Sequence, residues 1–315
     1  MKILAIQIAR LGDIFQTWPA LRALKRAYPQ AEIYVLTRGR YQAAFDGLEV
    51  VVQRKILPSQ DIVAPLLEPT MDVKTAHQIT AQFCDSLKNE NYDWILNFSF
   101  SPLSSFITHA VSHENTKVSG YTRTSDGFLA IPDDMSAYFY AQVGIDRPNR
   151  FHLAEIFSTM VGSDLIAQDW SQPAALPSYT EIVPEILLHV GASEIKKQIS
   201  PMKWMTILRQ FIRLMPDAKI GLIGAAQEAD LAEKIMSSTS SENVVNMVGK
   251  TSLQQLFAVI QKAKVVMGGD SAPMHMASLV GVPCLNLSLS SVNFWETGPR
   301  AAGSCILRGI DETDF

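Results

Sequence analysis

Residues 265–287 read VVMGGDSAPMHMASLVGVPCLNL. A short apolar run, a Gly-Gly pair, a polar cluster, a helical stretch, a Gly stop and a second apolar run follow in order. That is the pattern of strand, turn, helix and strand in an open α/β domain. Gly268 and Gly269 are expected to turn the backbone after the strand. Asp270 and Ser271 suit a helix N-cap, and Pro273 fits the first turn, where its missing N–H costs nothing. Gly281 and Pro283 close the helix. The N–H groups of such a helix start face out of the carboxyl end of a sheet, where open α/β sheets bind ligands and helix starts favour phosphate. His275 sits one turn further in. The same junction also serves as a plain structural joint, and a histidine there can be simply buried, so the stretch alone leaves both readings open.

Outward from this stretch the same alternation repeats. Strands are expected at 185–190, 219–223, 244–248, 265–267 and 282–287, with helices at 201–215, 227–237 and 252–263. The first half alternates too, with strands at 2–8, 32–37, 49–53, 93–98 and 117–121. Its helices are expected after residue 17, at 41–45, 72–88, 100–112 and 150–162. Residues 54–70, with three prolines, read as a loop, and 122–150 as polar and irregular, a cover for a cleft. Residues 164–183 lack a period and read as a linker. The inferred fold is α/β, two Rossmann-like domains with parallel sheets and a cleft between them, 1–170 and 171–315.

Composition narrows the function. The chain has 315 residues, 47% of them hydrophobic, and a net charge of −4, which argues against a nucleic-acid partner. Cys84, Cys284 and Cys305 lie far apart, suiting neither a disulfide framework nor zinc, so a reducing, cytoplasmic setting is expected. No run approaches 18 apolar residues, and the first residues read as a strand and not as a signal peptide. There is no Asp-x-Asp, no cysteine pair and no Gly-x-Ser-x-Gly, so neither a metal site nor a serine hydrolase is indicated. Asp133 and Asp134 read as a turn.

The loop after the first strand holds only Gly12, where a dinucleotide fingerprint needs three glycines, so a nicotinamide or flavin cofactor is not expected. Asp13 stands at the tip of that loop. It suits a general base acting on a hydroxyl, or it caps the next helix. In the second half, the small residues Gly191, Ala192 and Ser193 end a strand and let backbone approach a phosphate. Lys196 and Lys197 follow, able to neutralise a diphosphate or merely solvated. Gln227 or Glu228, after the next strand, could bond ribose hydroxyls or favour a helix start.

Together these residues resemble glycosyltransferase family 9, the lipopolysaccharide heptosyltransferase family. The N-terminal signature is Gly12-Asp13 with Pro19-Ala20-Leu21. The C-terminal one is Asp270-Ser271-Ala272-Pro273-Met274-His275, then Ala277 and Gly281-Val282-Pro283. His189-Val190-Gly191-Ala192-Ser193 resembles the family's His-Pro-Gly-Ala-Ser. Lys197, Trp204 and Thr297-Gly298-Pro299 fall at further family positions.

The resemblance implies the GT-B fold and an inverting, metal-independent transfer from a nucleotide-diphosphate sugar, typically ADP-heptose, onto a lipid-linked lipopolysaccharide core or related glycan. No cofactor is implied beyond that co-substrate. Asp13 would be the base, with Arg10 and Gly12 on the acceptor side. Gly191, Ser193, Lys197, Asp270, Ser271, Ala272 and His275 would hold the donor, with Glu228 on its ribose. Departures fall at Ala272 in place of glycine, at Ile199 and Ser200 in place of Trp-Pro, and at Ser288-Leu289-Ser290. The chain is also shorter than the resemblance implies. A different nucleotide sugar, an epimerase or a non-catalytic glycan-binding module are the competing readings. Phe15, Trp18, Arg22, Lys25 and Arg26 could meet an anionic membrane surface, or form a core helix with a solvated basic face.

Overall fold

The computed structural model describes residues 1–179, 183–192, 198–289 and 291–309. They form two compact units, one of Met1–Val143 with Leu153–Asp169, the other of Gly144–His152 with Trp170–Phe315.

The first unit carries strands β1 (Lys2–Ile6), β2 (Glu32–Arg38), β3 (Val51–Leu57), β4 (Trp94–Asn97) and β5 (Lys117–Gly120), in the parallel order β3-β2-β1-β4-β5. β1 and β4 are apolar almost throughout because helices cover both faces of the sheet. Helices α1 (Leu11–Ala27), α2 (Ser59–Leu67), α3 (Val73–Lys88) and α4 (Pro102–Val111) follow these strands. After them come the short antiparallel pair β6 (Thr122–Arg123) and β7 (Leu129–Ala130), then α5 (Asp134–Gln142) and α6 (Leu153–Met160).

Several of these elements depart from the sequence expectation. The first helix begins at Leu11, well before Thr17. Ile14, Phe15, Trp18 and Leu21 drive it by burying one face, all within 1% of full burial. Thr17 is interior, its hydroxyl donating to Ile14 O at 2.6 Å, and Pro19 lies inside the helix. An interior proline costs an exposed helix about 3 kcal/mol; here burial of the surrounding face offsets it. Residues 54–70 are no loop. They finish β3 and form α2, a helix with no buried residue, whose surface character hid its period. Within residues 122–150, irregular as expected at 124–128 and 143–150, lie β6, β7 and α5, and Asp133, expected in a turn, caps α5 by accepting from Ser136 N at 2.9 Å.

The membrane-facing reading of α1 fails on the same burial. Phe15 and Trp18 are in the core. Arg22, 5% exposed, is clamped on Glu49 at 2.8 and 3.1 Å. Lys25 donates to Ala31 O, and Arg26 to Asp164 O and the Asp169 carboxylate. Arg22 is thus part of the core, while Arg26 stays 42% exposed on the outer side of α1.

The second unit carries β8 (Ile186–His189), β9 (Ile220–Ile223), β10 (Val244–Asn246), β11 (Val265–Gly269), β12 (Cys284–Ser288) and β13 (Cys305–Arg308). They pair in the parallel order β10-β9-β8-β11-β12-β13. Its helices are α7 (Pro201–Leu214), α8 (Ala229–Met236), α9 (Leu253–Lys262), α10 (Ala272–Val280) and the one-turn α11 (Phe294–Thr297). Trp204 and Leu208 of α7 pack with Leu188 and Leu222 of the sheet, and Ile199 joins them. Ser200 caps α7 by accepting from Lys203 N, with Pro201 leading the first turn. This explains how Ile199-Ser200 replaces a Trp-Pro pair without loss of the helix.

In both sheets the order of strand addition reverses beside the first strand, between β1 and β4 and between β8 and β11. In open α/β sheets the crevice at the carboxyl ends of those strands is the ligand position.

Candidate active site

The loop at the first reversal is tightly tied. Gln7, 1% exposed, donates from Nε2 to Phe98 O, and its Oε1 accepts from Ala9 N at 3.1 Å. Ile8 N donates to Ser99 Oγ at 2.7 Å. The chain leaving β1 is thus fastened to the chain leaving β4, and α1 starts immediately after it. Asp13 is not at a loop tip but in the first turn of α1, where its Oδ2 accepts from Arg10 N at 3.0 Å. A carboxylate satisfies a helix-start donor at that position and is favoured by the helix dipole. Asp13 and Gly12 are partly buried and Arg10 is exposed, so the carboxylate sits at the rim of the sheet's carboxyl end.

In the second unit, β8, β9 and β11 bring the remaining described candidates together. Gly191 follows β8 and Gly224 follows β9. A Cβ on Gly191 would lie 2.6 Å from Glu228 Cδ, and one on Gly224 3.1 Å from Glu228 Oε2. The two glycines therefore form a seat for the Glu228 carboxylate, which also accepts from Ala225 N. Burial in this seat pushes the Glu228 pKa up, opposed by the Ala225 N–H. Gln227, the alternative to Glu228, is exposed.

Gly268 and Gly269 do not make a turn. They end strand β11 itself, and Gly268 is there because His189 passes close by. A Cβ at 268 would lie 2.9 Å from His189 Cβ and 3.0 Å from His189 O. Asp270 follows, partly buried, and Ser271 takes the N-cap position of α10 without a side-chain cap. Its hydroxyl donates instead to Gly269 O and meets His189 Nδ1, each at 3.0 Å. Ala272 then leads the helix with its main-chain N–H, and Gly281, at φ 74°, ends it in the left-handed conformation expected of a glycine stop. His275 is 6% exposed. It and Arg300 lie near His152, whose pKa is pushed down to about 3, chiefly by burial and then by their charges.

Ser193, Lys196 and Lys197 lie outside the described residues, as does Ser290. His189, read in the sequence only as the start of the His189–Ser193 stretch, and Gly224 take roles here that the sequence does not show. A histidine ending a strand and a glycine after one are legible only when their neighbours are known.

Burial holds the His189 pKa down to about 4. An unfolded histidine, near 6.5, binds a proton that the folded one refuses, so this stability is complete above about pH 6.5 and is lost as pH falls toward 4. Between pH 7 and pH 5 the loss is about 2 kcal/mol. Urea unfolding of the natural chain and of His189→Asn at both pH values measures it. The variant, whose amide can still reach Ser271, is expected to lose about 2 kcal/mol less.

Among the described residues no group of three or more His, Cys, Asp or Glu side chains is placed to hold a metal ion, and no helix is long and apolar enough to cross a membrane.

Solved structures share this architecture over the whole chain. Escherichia coli ADP-heptose lipopolysaccharide heptosyltransferase II matches with a TM-score of 0.67 at 19% identity, covering 98% of this chain and 91% of that one. E. coli heptosyltransferase WaaC, solved with ADP, matches with a TM-score of 0.70 at 15% identity, covering 100% and 96%. Two Rossmann-like units with these sheet orders give the protein the GT-B fold.

Lipopolysaccharide heptosyltransferase 1 of Campylobacter coli is 22% identical over 306 residues, 91% of this chain and 83% of that protein. The sequence model of glycosyltransferase family 9 (heptosyltransferase) matches residues 80–299. The chain belongs to glycosyltransferase family 9.

Proposed function

We propose that the protein moves a heptose from ADP-heptose onto a lipid-linked lipopolysaccharide core, with inversion and without a metal ion. The observation that carries the donor half is the Glu228 seat beside the α10 start. The Glu228 carboxylate and a helix start without a side-chain cap stand at the carboxyl ends of β9 and β11. Relatives lend the identity of the donor, since one was solved with ADP and with ADP-2-deoxy-2-fluoro heptose.

In this reading the ribose hydroxyls donate to Glu228, and the diphosphate lies on the Ala272 N–H and Lys197. Ser193 and Gly191 line its path, Asp270 bonds sugar hydroxyls, and His275 supports the helix start behind Ser271. Asp13 takes the proton of the acceptor hydroxyl as its oxygen attacks the anomeric carbon. The bond from that carbon to the diphosphate breaks, and ADP leaves with the electron pair. Arg10 and Gly12 border the acceptor. The carboxylate also stabilises the positive charge that develops on the sugar ring. A cytoplasmic position, with the acceptor presented at the membrane face, accompanies this reading.

Calorimetric titration with ADP, UDP, GDP and CMP tests the donor. ADP alone is expected to bind well, and Glu228→Ala to weaken it about 10- to 100-fold, the worth of a hydrogen bond to a charged group. Preference for UDP or GDP would replace the donor while keeping the chemistry. Release of a free, rearranged sugar without acceptor would indicate an epimerase, and binding with no turnover a non-catalytic module.

A further inference from the structure

The second unit holds a cavity of about 260 Å³ apart from the Glu228 seat and the α10 start. Its walls come from the segment before α6, the turn before α11 and the last residue of β13. Arg147, Arg150 and Arg308 line it against a single carboxylate, Asp146. In a chain of net charge −4 this is a local excess of positive charge.

The guanidinium groups and aromatic rings form a ladder. Arg150 lies over the Trp295 ring at 5.8 Å, Trp295 meets Phe294 at 5.1 Å, and Arg308 lies over Phe294 at 5.2 Å. A guanidinium stacked on a ring keeps its in-plane N–H donors for another partner. Neither the Arg150 nor the Arg308 guanidinium has a hydrogen bond or ion pair among the described residues. Trp295 is 48% exposed.

The frame behind the ladder is fixed. Asn149 and Asn293 donate to Glu296 Oε1 at 3.1 and 2.9 Å, and Asn293 also donates to Asn149 O. Arg147 N donates to Gly144 O, and Asp146 holds a left-handed backbone at φ 60°, which Asp tolerates better than most residues. A cavity lined by a half-exposed indole and two cationic side chains matches a sugar ring that carries an acid group. Its volume is a little below the roughly 300–1,000 Å³ of sites for larger ligands, which suits one sugar unit.

We propose that this cavity binds a single anionic sugar, its ring face on Trp295 and its phosphate or carboxylate on Arg150 and Arg308. The inference does not rest on the donor reading, because it uses none of the same residues.

The test titrates the full-length protein with glucose 6-phosphate, glucuronate, glucose and inorganic phosphate by calorimetry, each with and without saturating ADP. Saturable binding is expected for at least one of the two acidic sugars. Which one binds identifies the anion. Neutral glucose and inorganic phosphate should bind at least about tenfold more weakly, since each lacks half of the contacts. Trp295→Ala and the double variant Arg150→Gln/Arg308→Gln should each weaken the acidic sugar about tenfold or more. Both should leave ADP affinity and melting temperature unchanged. No saturable binding, binding unaltered in both variants, inorganic phosphate bound as tightly as the acidic sugar, or competition by ADP would each overturn the proposal.

Discussion

On the proposed mechanism, replacing Asp13 by Asn is expected to cut sugar transfer about 10²- to 10⁴-fold, the usual share of a positioned general base. The amide has no basic oxygen able to take the acceptor proton, but it can still accept the hydrogen bond that Arg10 N now gives to the carboxylate. Asn is as good as Asp at a helix start to within a few tenths of a kcal/mol, so stability should hardly move. ADP affinity should also be unchanged, because the donor candidates belong to the other unit. Steady-state kinetics with calorimetry and a melting curve on one preparation separates these effects. A variant that keeps substantial activity would leave Asp13 as a helix cap alone, and the base would have to be sought elsewhere.

Glu296→Ala should produce the larger loss of stability. The side chain is 7% exposed, and its Oε1 accepts from Gly144 N, Asn149 Nδ2 and Asn293 Nδ2 at 2.9–3.1 Å. Truncation leaves three donors unmet, each costing about 1–3 kcal/mol, reduced where water reaches them. The expected sum is about 3–5 kcal/mol, read as a lower urea midpoint. Glu296→Gln, which keeps an acceptor oxygen, should recover most of it. If Ala and Gln variants behave alike, the hydrogen bonds are not what holds the segment.

The alternation of apolar runs with helical stripes made the α/β architecture legible, because parallel strands covered on both faces must be continuously apolar. β4 (WILN) and β8 (ILLH) are direct examples. Gly281 was legible as a helix stop because the left-handed conformation needs it. The start of α1, expected after residue 17, was not, since only burial of Phe15 and Trp18 explains Pro19 in mid-helix. Gly268 was misplaced for a similar reason. Its role is to let His189 approach, a contact between residues 79 positions apart that no local pattern encodes. Nor does anything local mark Gly144–His152 as part of the second unit. Its tie is the Glu296 carboxylate, supplied by a distant turn.

That exchange of segments has a consequence for how the protein is made. The first unit is complete only when α6 and Asp169 have emerged, with Phe157 against Phe98 and Arg26 on Asp169. Asn149 is synthesised before them, yet its partner Glu296 is 147 residues later. At a synthesis rate of about 5–20 residues per second, the segment waits roughly 7–30 s with its amides in water. Translation therefore finishes one unit while the other still lacks its last turn, and the final fastening is a late, non-local closure of the kind that folds slowly.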